Sequence, residues 1–316
     1  MSFASLQTSF SGVLSPLTRS LQLEMPTPNA FVFVHFGSNP KYLELEIYAL
    51  LNLRDCTDQD VVYMYSINDT PPAFVDAVRP LCTSVVSYDD AGLTYARPDA
   101  AHTSIYAHFN TLRTCNFMFA HALKQYRRVC VVESDMMFRP GVDEMFALHA
   151  PAVLTYFDSA RFDQNFRVTM TEENINRNIN GGAMLFAPSA TKLREMQHTL
   201  EAVVEQNCAL PNEILFKLSY KTIYNLPYRY NATMYQLNEY EKRLGVNMAT
   251  YPVITHMNAT PYKHVERVRD NYMKPLKSHI PALYRTINVW KKEYYAPLHR
   301  KIEADVAAAA AKSNVA

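Results

Sequence analysis

Apolar runs and polar breaks divide this chain into alternating strands and helices. Residues 30–36 form a nearly unbroken apolar run, stopped by Gly37-Ser38-Asn39-Pro40. Such a run predicts a strand buried on both faces. Residues 42–52 carry apolar side chains at 43, 45, 47, 50 and 51, the spacing of a helix with a broad buried face. A second strand follows over 60–66. Pro71-Pro72 opens a helix over 73–81, since proline is tolerated in a first turn. A short strand is predicted over 84–88, a loop over 89–103 and a long helix over 106–125. The run Val129-Cys130-Val131-Val132 then ends in Glu133-Ser134-Asp135. A short helix and a strand occupy 145–154, ending near Asp158. Residues 162–178 are polar and read as a flexible connection, and 180–186 as a glycine turn entering a strand. A helix is predicted over 188–205, with Ser189 as N-cap and Leu193, Met196, Leu200 and Val203 as its stripe. A shorter helix covers 211–219, and 226–231 and 253–256 read as short strands or edges. Strand and helix alternate through the first half. This predicts βαβ units and an α/β fold around a mostly parallel, Rossmann-like sheet flanked by helices.

The acids at 133 and 135 carry the first chemistry. Residues i and i+2 of a strand point to one side, so Glu133 and Asp135 are expected to converge at the carboxyl end of a central strand. Open α/β sheets bind ligands there. Hard oxygen donors suit Mg²⁺ or Mn²⁺, and such an ion suits a diphosphate. On this stretch alone, two solvated acids capping a strand fit equally well.

Bulk properties narrow the classes. At 316 residues the chain holds one large α/β domain or two small ones. With 48% hydrophobic and 19% charged residues it is globular in composition, and its net charge of +1 gives no general basic field for nucleic acid. There are only 7 glycines, and neither GxGxxG nor GxxxxGK[ST] occurs. The 5 cysteines, at 56, 82, 115, 130 and 208, show no CxxC spacing. They read as reduced thiols rather than a disulfide framework or a zinc site. Residues 1–28 form an N-terminal tail with no basic segment leading into an apolar one. No run of 18 apolar residues occurs. The expected location is therefore cytoplasmic, and the sequons at Asn68, Asn231 and Asn258 read as chance matches. After residue 270, seven Lys and Arg side chains face a single Glu up to residue 302. Segment 271–303 is either a helix packed on the domain with a solvated basic face, or one that contacts an anionic membrane or an acidic acceptor. Residues 304–316 are an Ala-rich tail.

Several short motifs, taken in order, make residues 30–264 resemble family 8 of the retaining glycosyltransferases, the glycogenin-like family. The opening strand with Phe36, then Asn39-Pro40-Lys41-Tyr42 and Asn52-Leu53-Arg54, resembles the family's uracil- and ribose-holding segment. The resemblance gives Phe36, Asn39 and Tyr42 that role. Glu133-Ser134-Asp135 stands in the place of the family's Asp-x-Asp metal motif, with Glu at its first position. Asp158, and Asn180-Gly181-Gly182 after it, resemble the family's acidic residue and Asn-x-Gly turn beside the donor sugar. Asn212-Glu213 stands where the family has Asp-Gln, with carboxylate and amide exchanged. Leu226-Pro227-Tyr228-Arg229-Tyr230-Asn231 resembles Leu-Pro-x-x-Tyr-Asn and reads as mainly structural. His256 resembles the third metal ligand, and Lys263, with His264 as a substitute, the cation on the diphosphate. The family's basic residue before the metal strand falls near Asn116-Phe117, and Arg113, one turn earlier, stands as its replacement.

The resemblance implies a GT-A type domain over 29–270, followed by the helical extension 271–303. It implies a Mn²⁺- or Mg²⁺-dependent enzyme that moves sugar from a UDP-sugar to a glycan or protein acceptor with retention of configuration. The implied ligands are Glu133, Asp135 and His256. Asp158, Asn180, Asn212 and Glu213 are implied around the reacting sugar. Phe36, Asn39, Tyr42, Arg113 and Lys263 are implied around the nucleotide. Peripheral membrane contact through 271–303 and a homodimer are further expectations. Two other readings stand beside it. One is a nucleotide-sugar-binding pseudoenzyme or scaffold, favoured by the exchanged Asn212-Glu213 pair. The other is a nucleotidyltransferase, disfavoured by the missing Gly-rich basic loop.

Overall fold

The order of strands follows from which apolar runs are buried on both sides. The computed structural model describes residues 28–37, 40–68, 70–89, 115–175, 177–205, 212–233, 236–247 and 250–256. Strand β1 (Asn29–His35) leads into helix α1 (Pro40–Arg54), β2 (Asp60–Ser66), α2 (Pro72–Val78) and β3 (Ser84–Tyr88). Next come β4 (Arg128–Val132), β5 (Met136–Phe138), β6 (Ala152–Thr155), β7 (Arg167–Thr169) and β8 (Ile179–Phe186). Helices α3 (Ala190–Glu205) and α4 (Asn212–Ser219), β9 (Thr222–Asn225), β10 (Ala232–Thr233), α5 (Leu237–Leu244) and β11 (Ile254–His256) complete the described chain.

Eight strands form one sheet in the order β3-β2-β1-β4-β8-β6-β9-β7, and β10-β11-β5 form a second, small sheet. Strands β3, β2, β1 and β4 are mutually parallel, as are β6 and β9, whereas β8 and β7 run antiparallel to their neighbours. This is the mostly parallel, Rossmann-like α/β arrangement expected of a GT-A type domain. Phe31, Phe33, Cys130 and Val132 face one core with Ile47 and Leu50 of α1. Val32, Val129, Val131 and Val62 face a second core with Phe117, Met196 and Leu215. Apolar side chains on both faces explain why β1, β2 and β4 read as continuous hydrophobic runs.

Strands β2 and β3 have the predicted bounds, and Ser189 caps α3 by accepting from the Lys192 N–H (3.3 Å). Elsewhere tertiary packing overrides local pattern. Residues 116–122 form a 3-10 helix rather than the end of an α-helix, with Phe117 to His121 all buried. Burial on every side removes the amphipathic period that marks an α-helix. The earlier part of that expected helix, the 89–103 loop beyond Asp89, and segments 1–27, 271–303 and 304–316 lie outside the described residues. The expected flexible connection 162–178 contains β7, which pairs antiparallel with β9. The expected strand 226–231 is instead a 3-10 turn, Tyr228–Tyr230, preceded by β9. Pro227 disfavours strand pairing there because it lacks an N–H. The glycines at 181 and 182 lie within β8, not in a turn before it.

The sheet also buries an unforeseen polar network. His35 Nδ1 lies 2.9 Å from Glu46 Oε1, and Tyr63 donates to Glu46 Oε2 at 2.6 Å. His35 Nε2 lies 3.0 Å from the Gly37 carbonyl, where φ is +90°. The network thus anchors the turn that leaves β1, and the positive φ suits glycine.

Candidate metal centre

Strand β4 ends at Val132, and the chain turns through Glu133-Ser134-Asp135 before entering β5. The two carboxylates therefore meet across a turn between two sheets, rather than as i and i+2 of one strand. Two contacts hold the turn. The Glu133 N–H donates to the Gly182 carbonyl (3.0 Å), and Asn52 of α1 bridges both backbone groups of Phe138 on β5. Strand β11 pairs antiparallel with β5 in a register that sets His256 opposite Met136. That register brings the imidazole to the residue after Asp135.

The result is a cluster in which one ligand atom each of Glu133, Asp135 and His256 lies within 4.8 Å of the others. His256 Nε2 is 3.3 Å from Glu133 Oε2 and 3.5 Å from Asp135 Oδ1. Oxygen donors on opposite sides of a divalent cation stand roughly 4–5 Å apart, so the three atoms fit around one ion. His256 is buried, Asp135 half-buried and Glu133 exposed, which leaves the centre open on one side. Burial acts against the imidazolium, but the Asp135 and Glu133 carboxylates outweigh it and raise His256 to about 10. Two carboxylates that hold a proton on a buried imidazole would also attract a divalent cation.

Strand β8 shapes the floor. Its register against β6 jumps from Val153↔Met184 to Leu154↔Asn180, a bulge beside the end of β4. Bulges often sit next to active sites because they re-aim side chains. A Cβ on Gly182 would stand 2.5 Å from His256 Cε1 and from Met136 Cε, and one on Gly181 would stand 2.9 Å from Asn212 Nδ2. Only glycine lets these groups close on the strand. Glu213, in the first turn of α4, is nearby. Burial raises its carboxyl, its own N–H opposes this, and the Glu133 charge adds to the rise. The backbone of Gly181 hydrogen-bonds the same carboxyl. Lys217, one turn further along α4, donates to the carbonyls of Ile175 and Arg177.

The structure thus gathers Glu133, Asp135, His256, Asn180, Asn212 and Glu213 around one end of β4. Asn180 Oδ1 accepts from the Gly182 N–H (3.0 Å) and lies 3.0 Å from His256 Nδ1. Asp158 caps the 3-10 turn Ser159–Arg161, accepting from the Ala160 N–H at 3.0 Å. Phe36 follows β1, whose end lies beside that of β4. Asn39, Arg113, Lys263, His264 and the side chain of Tyr42 lie outside the described residues. Sequence reasoning missed Asn231, which is fully buried and lies 3.1 Å from His256 Nδ1. Burial also rules it out as a glycosylated asparagine. The one signal was its place at the end of the Leu-Pro-x-x-Tyr-Asn stretch. No helix among the described residues is long and apolar enough to cross a membrane.

No protein-family model matches the chain. No curated protein matches it either. Among solved structures, the chain is similar to the apo form of glycosyltransferase GlyE of Streptococcus pneumoniae TIGR4, with TM-score 0.48, 13% identity, and coverage of 85% of this chain and 64% of that one. It is similar to galactosyltransferase LgtC in complex with donor and acceptor sugar analogs, with TM-score 0.49, 12% identity, and coverage of 82% and 99%. It is also similar to the bifunctional glycosyltransferase WbbM in its apo form, with TM-score 0.46, 14% identity, and coverage of 83% and 51%. The chain therefore spans less than two thirds of the GlyE and WbbM chains.

Proposed function

We propose that this chain is a glycosyltransferase, which moves a sugar from a UDP-sugar to an acceptor hydroxyl with retention of configuration and with the help of Mn²⁺ or Mg²⁺. One observation carries the reading: Glu133, Asp135 and His256 form a three-ligand cluster at the carboxyl end of β4. In the strand order β3-β2-β1-β4, the progression leaves β1 in opposite directions. The crevice between the ends of β1 and β4 is thus a topological switch point, where open α/β sheets bind nucleotides.

The residues divide the work. Phe36, Asn39 and Tyr42, at the end of β1 and the start of α1, hold the uridine. Glu133, Asp135 and His256 hold the cation. When bound, the ion neutralises the charge that develops on the leaving nucleoside diphosphate. Arg113 and Lys263 add further positive charge to the diphosphate. Gly181 and Gly182 let the sugar approach the backbone of β8. Asp158, Asn212, Glu213 and the Nδ2 of Asn180 orient the sugar and the incoming hydroxyl, which attacks from the side of the leaving group. The domain spans 29–270, and the basic segment 271–303 supplies membrane or acceptor contact.

The test is UDP release from a panel of UDP-sugars with Mn²⁺. Turnover with at least one donor, lost on Asp135→Ala, is expected. Mn²⁺-dependent UDP binding without transfer from any donor would favour the nucleotide-sugar-binding scaffold instead. Neither binding nor turnover would sink both readings.

A further inference from the structure

Hydrogen bonds of two asparagines, Asn180 and Asn231, converge behind His256, on the side away from the carboxylates. Asn231 Nδ2 donates to Asn180 Oδ1 (2.9 Å) and to the Asn180 backbone carbonyl (3.2 Å). The backbone carbonyl can only accept, so the amide nitrogen of Asn231 must face it. Asn231 Oδ1 then necessarily faces His256 Nδ1, at 3.1 Å. Asn180 Oδ1, already receiving the Gly182 N–H and the Asn231 amide, lies 3.0 Å from the same nitrogen. Two acceptor oxygens around Nδ1 require that it carry a proton. The atom left to face Glu133 and Asp135 is Nε2.

The backbone on either side of Asn231 is hydrogen-bonded. The 3-10 turn Tyr228–Tyr230 precedes it, Tyr228 donates to the Thr233 carbonyl (3.1 Å), and the Val253 N–H donates to the Arg229 carbonyl (2.7 Å). Strand β10, which begins one residue later, pairs Thr233 with His256. The stretch 226–231, which the sequence suggested was mainly structural, thus aims an amide at one ring nitrogen.

We propose that Asn231 is a positioning residue of the metal centre: it keeps a proton on His256 Nδ1, so that Nε2 is the nitrogen at which a divalent cation takes the place of a proton. Ligating histidines commonly have their second nitrogen fixed in this way, and loss of the fixing group costs roughly 10–100-fold in metal affinity. The inference rests on the metal reading of the Glu133–Asp135–His256 cluster.

The experiment is calorimetric titration of the full chain with Mn²⁺ alone, without nucleotide, alongside thermal unfolding. Asn231→Ala and the volume-conserving Asn231→Leu remove the acceptor, and Mn²⁺ affinity should fall about 10–100-fold. Asn231→Asp keeps an acceptor for Nδ1 but loses the amide donated to Asn180. It should lose thermal stability as the other variants do, yet bind Mn²⁺ within about threefold of wild type, well inside the loss expected when the group is removed. That separation of affinity from stability is what a merely structural residue would not show. Equal Mn²⁺ affinity in wild type and Asn231→Leu overturns this inference alone. Equal loss in Asn231→Asp and Asn231→Leu, in step with stability, also overturns it. A wild type that binds no Mn²⁺ overturns the metal reading and this inference with it.

Discussion

At the scale of single residues, the centre depends on absent side chains as much as on present ones. Gly182 has no Cβ because His256 and Met136 occupy its space at 2.5 Å. In Gly182→Ala the imidazole must move, and Mn²⁺ affinity should drop at least as far as on loss of a fixing group, about 10–100-fold. Overpacking should also cost about 1–3 kcal/mol of stability. Calorimetry and denaturant unfolding of the same variant check both. The acids at 133 and 135 were legible in the sequence, because charge at the end of an apolar run is visible without a fold. Asn231 was not, since its task depends on a register between β10 and β11 that no local pattern encodes. The bulge at Gly181-Gly182 has the sequence of a turn, because two glycines are the usual mark of one.

At the scale of elements, the strands with both faces buried were the readable ones. β1, β2 and β4 are continuous apolar runs; β1 and β2 fall within a residue of expectation, whereas β4 ends at Val132, before the acids expected on it. The short strands β5, β7 and β10 were not separable by periodicity, being only 2 or 3 residues long. The junction between the 3-10 helix Asn116–Ala122 and α3 carries a further prediction. His121 is fully buried, its Nδ1 accepts from the Ser189 N–H (3.1 Å), and its Nε2 faces the Tyr220 hydroxyl (3.1 Å). Burial, and then the Lys192 charge, lower its pKa from 6.5 to about 4. The unfolded chain therefore binds a proton that the folded chain refuses between pH 6.5 and about 4. Stability should be full above pH 6.5 and fall as the pH drops to about 4, by roughly 3 kcal/mol from this group. Urea unfolding at pH 7, 5.5 and 4 measures the slope. His121→Asn, which has no group titrating in that window, should show a shallower slope from a lower starting stability.

At the scale of the whole molecule, two sheets of different size meet at one point. The large sheet supplies the crevice between β1 and β4, and the small sheet β10-β11-β5 carries His256 to it. Neither sheet alone completes the cluster, so the centre reports on their joint assembly. With a net charge of +1 the protein has no strong general field, and a diphosphate would be drawn by local charge rather than by the molecule as a whole. The central claim is that Glu133, Asp135 and His256 share one divalent cation that also meets the nucleotide. A crystal structure with Mn²⁺ and UDP tests it most directly. The expected result is anomalous density for a single Mn²⁺ bonded to Glu133, Asp135 and His256 Nε2, with the diphosphate completing its coordination beside the ends of β1 and β4. Mn²⁺ and UDP bound away from this cluster, or a cluster empty at saturating Mn²⁺, would contradict it.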